Sequence, residues 1–245
     1  MKKTITEVCL LLILLVTFAS YSQDVFLAQS NESEDIYAYR KGDPNGIGKW
    51  YMGREIAYVM GYQGIGWLER TAREKEEKTS QLLSNMDIDD FDVIADIGAG
   101  SGYHVFKMSR FTTKGLVYAV DIQPEMLIAM NSKIADETIE NVETILGSEQ
   151  SVNLPEASVD KILMVDVYHE FSYPIEMLSS IKKALKPEGK IFLIEYRGED
   201  IDVPIKTIHK MTEKQAKKEF EALGFVLEKN IDNLPWQHCM IFKLK

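Results

Sequence analysis

The stretch VIADIGAGSGYHVFKMSR, Val93 to Arg110, limits the possible folds more than any other. An apolar run of strand length meets three glycines in five residues, and a run suited to a helix follows. Gly98, Gly100 and Gly102 permit a tight turn and let backbone N–H groups approach a ligand closely. In an open α/β sheet the ligand sits beyond the carboxyl ends of the strands, where the strand order reverses, and this turn falls there. The spacing excludes two common phosphate binders. A dinucleotide turn needs G-x-G-x-x-G, but the third position is Tyr103, and no G-K-[ST] follows for a P-loop.

From Val93 onward the pattern alternates strand and helix. Strands are expected at 93–97, 116–121, 142–146, 159–166 and 190–196, and helices at 103–111, 124–135, 175–185 and 213–223. Pro124 fits the first turn of its helix, and Gly224 ends the last one. Pro187-Glu188-Gly189 reads as a turn. Strands separated by helices imply a parallel sheet covered on both faces. The runs 225–229 and 240–244 lie close in sequence and suggest a terminal hairpin with one antiparallel strand. The 245 residues suffice for one large α/β domain with a full core.

Upstream, residues 37–85 read as helical. In GIGKWYMGREIAYVMGYQGIGWLER, Met52, Ile56 and Val59 recur at helical spacing. The following ERTAREKEEKTSQLL reads as a charged helix whose mixed signs face solvent. Residues 23–36 are polar and read as loose. The first 22 residues have the three parts of an export signal: Lys2 and Lys3, the apolar run Val8–Ala19, then Ser20-Tyr21-Ser22 at a cleavage position. The apolar run is short for a membrane span, so no stable span is expected after cleavage. The alternative is an uncleaved anchor. Both place the rest of the chain outside the cytoplasm, in the periplasm or secreted. Removing the signal removes Cys9 and leaves Cys239 alone, so no internal disulfide forms.

The net charge of -10 argues against a nucleic-acid partner, which needs clustered Lys and Arg. Lys206, Lys210 and Lys214 read as a solvated face.

VIADIGAGSG resembles the first signature of the class I S-adenosylmethionine-dependent methyltransferases, which carries an acid two residues before the first glycine, here Asp96. VYAVDIQPEML resembles their next element, with Asp121 as the acid that binds the ribose hydroxyls. GSEQSVNLPEASVDKILMVDVYHEF and LKPEGKIFLIEYR resemble the segments into the fourth and fifth strands. The resemblance covers residues 85–245. It implies a doubly wound, mostly parallel seven-stranded sheet of order 3-2-1-4-5-7-6, the last strand antiparallel, in a domain spanning 86–245. It also implies S-adenosyl-L-methionine as cofactor, held by Asp96, Gly98, Ala99, Gly100, Gly102, Asp121, Ile122, Ser148, Glu149 and Asp166. Many members place Asp directly after a Gly to meet the adenine amino group. Here Ser148 follows Gly147, and either it or Glu149 takes that place. The N-terminal segment, together with EYRGED and HKM, is also similar to a group of bacterial exported methyltransferase-like proteins.

A sulfonium methyl is already activated, so the protein must align the acceptor, exclude water and take a proton where needed. Topology brings candidate groups to the carboxyl edge of the sheet: His169 and Glu170 after the fourth strand, Glu195 at the end of the fifth, and His209 beyond it. His169 is the expected base, with Glu170 as its partner or substitute. His104 and His238 reach the same edge and read as structural. No metal is expected, because His169, Glu170, His209 and Glu195 come from separate loops without diagnostic spacing. In this family the residues before the first strand often form a lid. Here Trp50, Tyr51, Tyr58, Tyr62 and Trp67 would line an apolar pocket for a small-molecule or lipid-like acceptor. The rival expectation is an exported protein of the same fold that binds a nucleoside-like or other small ligand without catalysis.

Overall fold

Strand β4 (Val93–Ile97) pairs in parallel with β5 (Leu116–Asp121) on one side and β7 (Val159–Val165) on the other. The structure, a computed structural model, describes residues 36–245. The export signal at 1–22 and nearly all of the loose segment at 23–36 lie outside the described residues. Strands β6 (Val142–Leu146), β8 (Leu185–Tyr196), β9 (Phe225–Asn230) and β10 (Gln237–Leu244) complete a seven-stranded sheet ordered β6-β5-β4-β7-β8-β10-β9. Counted from β4, this is the expected order 3-2-1-4-5-7-6. Strand β10 runs antiparallel to both neighbours, as expected.

The strands are apolar on alternate residues toward both faces. Ile162, Met164, Ile191, Leu193, Met240 and Phe242 face one layer, formed by α6 (Pro174–Ala184) and α7 (Glu213–Ala222). Ile94, Leu163, Phe192, Ile194, Cys239 and Ile241 face the other, formed by α3 (Thr79–Met86), α4 (Val105–Met108) and α5 (Pro124–Glu137). Burial on both faces is why these strands read as continuous apolar runs. Helix α7 begins at a capping Thr212, whose hydroxyl accepts from the Gln215 amide at 3.1 Å.

Three sequence expectations need correction. Residues 37–57 are not helical. They form a three-stranded antiparallel sheet of β1 (Tyr37–Tyr39), β2 (Gly46–Tyr51) and β3 (Arg54–Ala57). Met52 and Gly53 make the two-residue turn between β2 and β3, at φ of 48° and 102°. A tight hairpin with positive φ at both central residues matches the twist of its strands. Of the three residues at helical spacing, only Ile56 is buried, in a small core with Tyr37 and Tyr51. Helices do follow, in short pieces: α1 (Ile65–Leu68), α2 (Arg73–Glu77) and α3, with Lys78 in the left-handed region between the last two. Second, Pro187-Glu188-Gly189 is a bulge inside β8, since Val159 pairs with Leu185 and Lys161 already pairs with Lys190. Third, the helix expected at 103–111 shrinks to α4.

The small sheet docks on the carboxyl edge of the large one. Arg54 of β3 donates to both oxygens of Glu219 on α7, at 2.7 and 3.0 Å, and to the His169 carbonyl at 3.1 Å. Tyr37 donates to Glu176 at 2.6 Å. The Lys49 ammonium lies 3.5 Å from the centre of the Tyr173 ring, a cation–π contact. Among the described residues, no helix is long and apolar enough to cross a membrane.

Candidate active site

The glycine turn leaves β4 by folding back on β5. The Gly98 and Ala99 amides donate to the Val120 carbonyl at 2.8 and 3.0 Å. Gly98 and Gly100 have φ of 75° and 55°. A Cβ on Gly98 would come within 2.4 Å of the Val167 side chain. Both the conformation and the space therefore require glycine there.

Asp121 closes β5 beside this turn. Its Oδ2 accepts from the Gly100 amide at 2.8 Å and its Oδ1 from the Gln123 amide at 2.9 Å. A carboxylate has about four acceptor positions, so each oxygen keeps capacity for a further donor. Burial raises its pKa, opposed by those backbone donors. Ser148 and Glu149 follow β6. Asp166 follows β7 in the left-handed region, at φ 51°. Its Oδ2 accepts from Gln237 at 2.7 Å, while its buried Oδ1 has no partner. Burial and the charges of Glu77 and Glu195 hold this carboxyl well above its ordinary range.

A cavity of about 590 Å³ joins these groups. Gly98, Gly100, Asp121, Ile122, Ser148, Glu149 and Asp166 line it. His169, Glu170 and His209 line it as well, on the short turns Tyr168–Glu170 and Thr207–His209. His169 Nδ1 lies 2.7 Å from Glu195 Oε2, and its Nε2 lies 3.1 Å from His209 Nδ1. Glu195 is fully buried and also accepts from the Tyr168 amide at 2.9 Å. Glu170 Oε1 accepts from the Met60 amide at 3.2 Å.

These surroundings divide the protons unequally. Burial lowers the pKa of His169, but the Glu195 carboxylate and its hydrogen bond outweigh it, and the net shift is upward. Burial and the neighbouring His169 pull His209 down to about 4. Burial pushes Glu170 up to about 7. A proton shared between the rings therefore resides on His169.

Three of the expected cofactor residues do not line the cavity. Ala99 packs into the core layer beside α4, and Gly102 sits against Phe106 and Met130. Asp96 is buried behind the turn, its Oδ2 without a partner, and burial pushes its carboxyl up to about 7. Of the expected acceptor-pocket aromatics, only Trp67 lines the cavity. Tyr51 is buried in the small sheet's own core, the Trp50 ring stacks under Arg40, and Tyr58 and Tyr62 face solvent. His104 is buried away from the cavity, and His238 pairs with Glu199 at 2.9 Å and Asn230 at 3.0 Å.

The charged run after Trp67 was expected to be solvated; Glu69, Glu74, Lys75 and Lys78 are exposed, but not every charge is. Arg73 and Glu77 are buried, 2.6 Å apart, and line the cavity with Arg70. Glu77 also accepts from Arg70 and from the Tyr196 hydroxyl. The signal was the spacing: Arg73 and Glu77, four positions apart, share one face of α2.

Residues 88–242 match the methyltransferase-domain family. The chain belongs to that family. Among curated relatives, an uncharacterised methyltransferase-like protein of Schizosaccharomyces pombe is 31% identical over 126 residues, covering 51% of this chain and 46% of the relative. A tRNA U34 carboxymethyltransferase of Campylobacter curvus is 32% identical over 126 residues, covering 48% of this chain and 40% of the relative. The chain thus spans less than half the length of these two relatives. The same fold is seen in a SAM-dependent methyltransferase from Aquifex aeolicus, which aligns over 76% of this chain and 100% of that one, with a TM-score of 0.72 and 23% identity. The family's class I members take S-adenosyl-L-methionine as cofactor, and the cavity passes the corresponding test. A glycine turn that admits no Cβ, a carboxylate with spare acceptor capacity at the strand end and an unpartnered buried Asp166 oxygen belong to residues that line the one cavity.

Proposed function

We propose that the protein transfers a methyl group from S-adenosyl-L-methionine to a small-molecule or lipid-like acceptor held in the cavity. One observation carries this reading. A single cavity is lined both by the glycine turn with Asp121 and by the His169–Glu170–His209 cluster. When bound, the cofactor supplies a sulfonium methyl ready for in-line displacement. Asp121 holds the ribose diol. Ser148 and Glu149 face the adenine, and Asp166 meets the amino-acid end. Glu195 fixes the His169 ring so that its Nε2 faces the cavity, where the cluster orients the acceptor and takes its proton. Residues 37–85 act as the lid, with Trp67, Leu68, Arg70 and Arg73 walling the cavity and excluding water.

The proposal includes export to the periplasm or medium. Lys2, Lys3, the apolar run Val8–Ala19 and Ser20-Tyr21-Ser22 support it. N-terminal sequencing of the native protein should begin near Gln23; an intact Met1 on protein from the cytoplasm would count against export.

The test of the main reading is direct. Calorimetry should show stoichiometric binding of S-adenosylhomocysteine. Protein incubated with methyl-labelled cofactor and fractionated small-molecule or lipid extracts should then transfer label to a discrete product. Cofactor binding without transfer to any fraction would favour the non-catalytic ligand-binding alternative instead.

A further inference from the structure

We infer that His169, Glu170 and His209 form a site for one divalent first-row metal ion of the zinc type, at the acceptor end of the cavity. The geometry of three atoms carries the inference. His169 Nε2 is 3.1 Å from His209 Nδ1 and 3.8 Å from Glu170 Oε1. His209 Nδ1 is 3.9 Å from the same Oε1. The circle through a triangle of sides 3.1, 3.8 and 3.9 Å has a radius of about 2.1 Å, which matches ordinary zinc–nitrogen and zinc–carboxylate distances. An ion near its centre reaches all three atoms without moving a side chain.

The supporting shell has the form that metal-binding histidines use. A ligating imidazole gives its other ring N–H to a carboxylate, which fixes the tautomer and turns a lone pair toward the ion. His169 Nδ1 faces Glu195 at 2.7 Å, and Glu195 is itself held by the Tyr168 and His169 amides at 2.9 and 3.3 Å. The candidate carboxylate ligand is held as well, since Glu170 Oε1 accepts from the Met60 amide. Two nitrogens and one oxygen suit zinc, iron, manganese or cobalt better than the all-oxygen preference of calcium or magnesium. All three residues line the cavity, so the remaining coordination position opens into it, the pattern of a catalytic rather than a structural ion. On the methyl-transfer reading, on which this last step rests, the ion takes over from direct proton removal by the cluster: an acceptor hydroxyl or thiol in that position loses its proton to solvent more readily. Its lone pair then forms the bond to the methyl carbon, and the broken carbon–sulfur pair stays on the cofactor sulfur.

The experiment uses the full chain, stripped with chelator and titrated calorimetrically with Zn²⁺ alone and with Co²⁺ alone. A single equivalent should bind, and Co²⁺ should give the visible absorption of a low-coordinate nitrogen–oxygen site. His209→Ala and Glu170→Gln should each weaken Zn²⁺ binding by more than about a hundredfold, and Glu195→Gln by about 10–100-fold. S-adenosylhomocysteine affinity, measured on His209→Ala and Glu170→Gln, should stay within about twofold of the wild type, since neither side chain hydrogen-bonds the glycine turn, Asp121 or Asp166. Absence of stoichiometric binding by the wild type, or equal affinity in His209→Ala, would overturn the site. Zinc binding that follows this pattern in a protein with no affinity for S-adenosylhomocysteine would support the metal site and sink the methyl-transfer reading; the converse result would do the opposite.

Discussion

Asp121 shows how much one side chain decides. Its two oxygens already hold the turn through the Gly100 and Gln123 amides. Removing it takes away the proposed ribose partner and two turn contacts together. A hydrogen bond to a charged group is worth about 1.5–3 kcal/mol, so Asp121→Ala should weaken S-adenosylhomocysteine binding by about ten- to a hundredfold, read by calorimetry. His169→Ala should behave differently. Its side chain bonds Glu195 and His209 rather than the glycine turn or Asp121, so cofactor affinity should hold while transfer to a found acceptor falls by about 10²–10⁴-fold. Full transfer by that variant would remove His169 from the chemistry. Asp121 was readable in the sequence because a strand-end acid beside a glycine turn has one plausible place. The pairing of His169 with His209 was not, because 40 residues separate them and only the packed loops bring them to 3.1 Å. Arg73 and Glu77 were misread for a related reason: a mixed-charge helix looks solvated until a second layer covers it.

At the scale of elements, the continuous apolar strands and the helices between them from Val93 onward were legible because each is locally consistent. The β2–β3 hairpin was not. Its aromatic and aliphatic residues also fit a helical stripe, and its turn is Met-Gly rather than the usual Asn-Gly signal. Gly53 tests the structure seen. A Cβ there meets nothing within 4 Å, so only the backbone conformation opposes a side chain. Gly53→Ala should therefore cost about 1–2 kcal/mol in denaturant unfolding, with no change in the large sheet. The tie between hairpin and α7 should cost more. Glu219 is fully buried and accepts from Arg54, Gln215 and Tyr168. Glu219→Ala strands the Arg54 charge and should cost about 3–5 kcal/mol, again by denaturant titration. A loss within the range of a surface substitution would show that the pair is solvated in solution.

Across the whole molecule, a sheet covered on both faces leaves its central residues reachable only by unfolding. Cys239 lies in the middle of β10 with no exposed surface, and burial pushes its thiol up to about 11. Peptide mapping should find Cys239 unmodified by iodoacetamide at mildly alkaline pH and modified at once in denaturant. Fast labelling of the native protein would mean that β10 opens locally.

The Arg54–Glu219 contact also sets an order of events. It closes a loop of 165 positions, from near the first described strand to the last helix. Loop closure of that length is entropically costly, so such contacts form late. A ribosome releasing this chain makes the hairpin long before its anchor exists. Tyr51 and Ile56 must then wait, partly uncovered, for α7 to arrive. The cavity is consequently completed late, when β3 meets α7, and a chain that stops before α7 has no anchor for β3.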